Sequence, residues 1–186
     1  MADLSPVPAL SRSELLREIR ARLPSAAPGT RFVAEGVLAE ESRIDFVGVS
    51  PQGGIDLVLV GEEGGELTLV ALGLAQRAWV EARYTDWLQL APELGLRPGA
   101  GVGLVLLCPS FGPESRAAAR ALGEGAPRLV RYRFIRNGAG LETLLEPLDG
   151  RPAAAPSPAK PASSGFRTGL TDAMLNLSAD ERQAFE

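Results

Sequence analysis

Residues 53–88 read GGIDLVLVGEEGGELTLVALGLAQRAWVEARYTDWL, and the fold turns on how this stretch divides. Ile55–Gly61 is a strand-like run, and the short GEEGG segment after it reads as a turn. The next run, Glu66–Leu72, then reads as a second strand that passes almost directly into a helix over about 74–91. Within that helix Val80, Tyr84, Trp87, Leu88 and Ala91 share one face. Strand-to-helix junctions are where α/β proteins often place chemistry, yet the junction here is Ala71-Leu72-Gly73, without a polar side chain.

Working outward, Ser11-Arg12-Ser13-Glu14 is a capping box. It opens a helix with Leu15, Ile19 and Leu23 (or Leu16, Ile19 and Leu23) on one face, and Pro24 is expected to end it. Strand-like runs follow at 31–39 and 43–50, the second separated from Ile55 by a turn containing PQGG. On the carboxyl side, GVGLVLLC (101–108) is apolar on both faces and reads as a buried central strand. A short helix begins at Pro113, and RLVRYRFIR (128–136) alternates Val130, Tyr132 and Phe134 against Arg131 and Arg133. The run GLETLLEPL closes the domain near Leu148. The pattern predicts an α/β domain over 1–148, a mixed β-sheet flanked by helices. Residues 149–165 have the Pro/Ala-rich composition of a disordered linker, and 166–186 form a C-terminal segment. That segment regains apolar residues (Phe166, Leu170, Leu175, Leu177 and Phe185) and has a second capping box at Ser178–Glu181. It has the pattern of a peptide that folds on a protein partner, or one that packs back on its own domain.

Composition excludes a good deal. With no histidine there is no His-based triad, no His general base and no His-ligated zinc. Cys108, the one cysteine, cannot form an internal disulfide or a CxxC site, and its place at the end of an apolar strand predicts burial. Lys160 is the only lysine and lies in the linker, so neither a P-loop nor a Schiff-base lysine is available to the folded part. A net charge of -4 argues against a generally basic nucleic-acid-binding surface. The N-terminus lacks the pattern of a signal peptide, and the apolar runs are too short to span a bilayer, so a cytoplasmic protein with no membrane partner is expected.

The order of elements over about 31–148 resembles the PD-(D/E)XK restriction-endonuclease-like domains, NucS-type DNA endonucleases in particular. The resemblance implies a strand carrying Asp, a strand ending in Glu-x-Lys, and a following helix with a glutamine and a Tyr/Trp pair. In that family two carboxylates hold Mg²⁺, which activates a water and neutralises charge on the phosphate. Carried over, the first carboxylate falls on Asp56, the second on Ala71 and the lysine on Gly73, with the glutamine near Glu81 or Ala82. A second register places the first carboxylate at Asp45, the second near Val60 and the lysine at Glu62, but leaves an additional strand before the helix. The preferred register implies a vacated motif: a catalytically silent nuclease-like domain used as a binding or scaffolding module, without cofactor, whose C-terminal segment recruits an unknown protein partner. The alternative is a metal-dependent endonuclease with migrated ligands. Asp56 would then be a Mg²⁺ ligand, Glu62, Glu63, Glu66 or Glu81 would supply a second carboxylate, and Arg77 would stand for the lysine. A third possibility is nucleic-acid binding without cleavage through Arg131 and Arg133, with Trp79, Tyr84 and Trp87 as stacking groups. The same residues also fit an outward strand face in a chain that uses arginine almost throughout, and a helix anchored to its sheet by aromatics.

Overall fold

Helix α1 spans Arg12–Ala26 and starts as its capping box predicts: Ser11 Oγ accepts from Glu14 N, and the Glu14 side chain accepts from Ser11 N. Pro24 does not end it, because a proline in the last turn removes only one hydrogen bond, and the helix continues to Ala26. The computed structural model describes residues 10–39, 42–137 and 140–148 of the chain, all within the first of its two units, Met1–Ala155. The C-terminal segment with Phe166, Leu170, Leu175, Leu177 and Phe185, together with the linker before it, lies outside the described residues.

Six strands form one sheet in sequential order: β1 (Arg31–Ala39), β2 (Ser42–Val49), β3 (Ile55–Val60), β4 (Val102–Cys108), β5 (Arg128–Asn137) and β6 (Gly140–Pro147). The β1–β2, β2–β3 and β5–β6 pairs are antiparallel, while β3–β4 and β4–β5 are parallel. The parallel centre explains the uninterrupted apolar runs of β3 and β4, since a strand covered on both faces has no polar side to show. On one face Leu15, Ile19 and Leu23 of α1 pack with Phe46, Val58, Val60, Val105, Leu107 and Val130. On the other, Leu69, Val70 and Val80 pack with Ile44, Leu57, Leu59, Leu104, Leu106 and Leu129. The result is a mixed sheet flanked by helices.

One expectation is overturned. Residues 66–72 are not a strand but the first two turns of helix α2, Glu66–Ala82, which is followed by a short helix α3, Tyr84–Leu90. The buried positions of α2, namely Leu69, Val70, Gly73, Gln76 and Val80, recur at three- and four-residue spacing, a helical stripe that runs straight through the presumed strand. At Gly73 α2 packs tightly on the sheet: a Cβ there would stand 2.9 Å from a Leu106 methyl and 3.0 Å from a Leu104 methyl. Helix α4, Pro113–Arg120, connects β4 to β5 and places Ala119 in the core that α2 covers.

Candidate site at the ends of the central strands

Because 66–72 is helical, the strand that precedes the helix is β3. The assignment of Ala71 and Gly73 to a strand-end motif therefore fails, since both lie inside α2. In the second register the first carboxylate is Asp45 on β2, the second position is Val60 at the end of β3, and the lysine position is Glu62. These residues meet at the carboxyl ends of the parallel strands, where open α/β sheets place their sites.

Asp45 is the one buried charged residue among the described residues, its side chain 10% exposed. Arg12, at the start of α1, reaches it across 33 residues of sequence: Nη2 donates to Asp45 Oδ1 at 2.7 Å and to Oδ2 at 2.8 Å. Its Nη1 donates to the Val60 carbonyl at 2.6 Å, and the Val60 N–H donates to Asp45 Oδ2 at 2.7 Å. The guanidinium therefore bridges a carboxylate and a main-chain carbonyl, with the buried Val60 side chain beside them contributing no oxygen. Around this pair the strand ends are closed by further bonds. Tyr132 Oη donates to Gly61 O at 2.9 Å and the Cys108 thiol donates to Glu62 O at 3.2 Å. Burial pushes the Cys108 thiol up to about 11 and the Tyr132 phenol up to about 12. Both are therefore neutral, and Cys108 is no thiolate nucleophile at physiological pH. Glu66, in the first turn of α2, accepts from Ser110 Oγ at 2.7 Å, which holds its carboxyl below the ordinary value.

Gln76 is 2% exposed on the sheet-facing side of α2. Its Nε2 donates to Ser42 Oγ at 2.8 Å and Arg43 O at 3.0 Å, while its buried Oε1 has no partner among the described residues. The resemblance implied a glutamine near Glu81 or Ala82, whereas α2 carries its glutamine at position 76. Neither Arg12 nor Gln76 was singled out by the sequence. The signal for Gln76 was available, as a polar amide on the apolar stripe of a helix, but only once 66–72 is read as helical. No local signal marks Arg12, which is one arginine among several on α1.

Asp56 stands at the other end of β3, so four residues of extended chain put its Cα about 13 Å from that of Val60. It cannot share an ion with Asp45. Its Oδ2 accepts from Thr30 Oγ1 at 2.6 Å. Among the described residues no group of three or more Asp, Glu or Cys is placed to hold a metal ion.

Of the arginine pair on β5, Arg131 is paired with Glu146 across the β5–β6 ladder, at 2.5 Å from Nη2 and 3.1 Å from Nε, and Arg133 is exposed opposite Leu144. The aromatic residues of α2 and α3 are anchors. Trp79, Tyr84 and Trp87 pack on the core, Arg83 covers the Trp79 ring at 4.3 Å, and the Tyr84 hydroxyl lies 2.9 Å from Arg97 O and 3.1 Å from Gly53 O.

No family model matches the sequence and no curated protein is similar to it. Among solved structures, the chain is similar to one described as an EndoMS–dsDNA complex, with 16% identity, TM-score 0.42, and coverage of 63% of this chain and 44% of that one. It is similar to a repair endonuclease from Pyrococcus abyssi, with 15% identity, TM-score 0.38, and coverage of 64% and 46%. It is also similar to SfsA from Pyrococcus furiosus in complex with Ca²⁺, with 13% identity, TM-score 0.39, and coverage of 78% and 75%. The chain spans less than half the length of the first two of these structures.

Proposed function

We propose that this chain is a nuclease-like domain that binds rather than cleaves, with Arg12 occupying the space a divalent ion would need beside Asp45. The Arg12–Asp45–Val60 bridge carries this proposal. A hard cation such as Mg²⁺ needs several oxygen ligands, at least one or two of them carboxylates, in a near-octahedral shell. Asp45 supplies one carboxylate, both of whose oxygens accept from Arg12, and the carbonyl of Val60 is also taken. The position that should supply a second carboxylate has an aliphatic side chain, and the position of the lysine has Glu62, of opposite charge. These residues do not fit a divalent ion. They do satisfy one buried carboxylate with one cation, which the structure needs because an unpaired buried charge is costly.

The test incubates the full chain with labelled single-stranded, duplex and branched DNA plus Mg²⁺ or Mn²⁺, beside its Asp45→Asn and Asp56→Ala variants. The expected result is intact DNA in every lane. Metal-dependent cleavage lost in either variant would overturn the proposal and establish an endonuclease with migrated ligands. As part of the same proposal, residues 166–186 recruit a protein partner; the support is the capping box and apolar residues that follow the Pro/Ala-rich 149–165. Partner capture that is unchanged by deletion of 166–186 would remove this part alone.

A further inference from the structure

A cleft of about 370 Å³ opens at the amino-terminal edge of β3, β4 and β5, the opposite edge of the sheet from Arg12 and Asp45. That volume is within the usual range for small-molecule sites. Asp56 begins one wall and Arg128 the other, and Gly103 lies between them. The register fixes this arrangement: Asp56 is beside Gly103 on β4, and Arg128 on β5 is beside Val105, two residues further along. Two strand spacings and two residues of rise put the Cα atoms of Asp56 and Arg128 about 12 Å apart. Gly103 has no side chain, and a Cβ there would overlap Asp56 Oδ1, so the carboxylate leans over bare backbone.

Both charged groups are half-buried, and neither has a counter-charge among the described residues. Thr30 donates to one oxygen of Asp56 and leaves the other open. Arg128 spends one N–H on the carbonyl of Ala26 at the end of α1 and keeps its remaining donors. A free metal cation suits Asp56 poorly, because one carboxylate is too few and Arg128 adds positive charge to the same cleft. A simple anion suits Arg128 but faces Asp56. A ligand carrying both charges satisfies both walls.

We propose that this cleft binds a small zwitterion of the amino-acid class, its ammonium group on Asp56 and its carboxylate on Arg128. This site does not rest on the Arg12–Asp45 bridge, and either proposal can fail without the other. The test titrates the full chain with the common amino acids, each beside the matching amine that lacks the carboxylate and the acid that lacks the amine, by calorimetry and thermal shift. At least one amino acid is expected to bind at millimolar concentration or below, with each single-charge analogue about tenfold or more weaker, the loss of one charge-assisted contact. Asp56→Asn, which can still accept from Thr30, and Arg128→Gln, which can still donate to Ala26, should each weaken binding by a similar factor. Amide chemical shifts of Gly54, Gly101 and Gly103 in the unsubstituted protein should move on titration, a readout that holds even if a variant misfolds. No binding by any amino acid would overturn the proposal. So would analogues that bind as well as the parent, or binding that leaves the three glycine amides unmoved.

Discussion

Replacing Arg12 by methionine is the most direct probe of the bridge that distinguishes this site. The substitution keeps the helix-forming stem of the side chain and removes the charge. Asp45, 10% exposed with Arg12 in place, would then keep only the Val60 N–H as a partner among the described residues. Leaving a fully buried charge unpaired costs about 3–5 kcal/mol, whereas exposed pairs contribute about 0.2–1 kcal/mol. Arg12 is 42% exposed, so water relieves part of the loss, and an intermediate cost of about 2 kcal/mol follows. For a domain of this size that lowers Tm by about 5 °C. Asp45→Asn should cost less, about 1 kcal/mol, because the amide oxygen still accepts from Val60 N and Arg12 can turn to solvent. The double variant should be more stable than the sum of the single losses predicts, by about 1 kcal/mol. Urea unfolding followed by the fluorescence of Trp79 and Trp87 measures all four corners of the cycle. A coupling within about 0.3 kcal/mol of zero, the usual scatter for independent sites, would refute the claim that the pair satisfies each other's charge.

Two more outcomes follow from packing and titration. Gly73→Val should destabilise the fold by about 1–3 kcal/mol despite adding a β-carbon to a helix, because its side chain meets Leu104 and Leu106; thermal unfolding with no loss would show that α2 has room to lift. Stability should decline at alkaline pH. Cys108 and Tyr132 are raised in the folded state to about 11 and about 12, so the unfolded chain releases their protons first, from about 9 and 10. Their contribution is complete below those unfolded values and is lost as pH rises toward 11–12. Urea midpoints measured through that range in Cys108→Ala and Tyr132→Phe variants should decline less steeply than in the unsubstituted protein.

The sequence alone determined the elements whose signals are local. The Ser11–Glu14 capping box placed the start of α1, and alternation or continuous apolar runs placed all six strands within a residue or two. The absence of histidine and the single lysine, at position 160, narrow the chemistry by composition alone. The run Glu66–Leu72 was ambiguous because a seven-residue apolar segment with Thr68 and Val70 suits a strand as well as a buried helix. Only tertiary structure resolves it: β4 offers the ridge of Leu104 and Leu106, and a helix with Gly73 packed against those two side chains covers that ridge. That one correction moves the candidate site from Ala71 and Gly73 to Asp45 and Val60. The partner of Asp45 was beyond local reach for the same reason. Arg12 is 33 residues away, and what joins them is the packing of α1 on the sheet. The opposition of Asp56 and Arg128 across Gly103 is likewise a matter of strand order and register, which side-chain patterns constrain within a strand but not between strands.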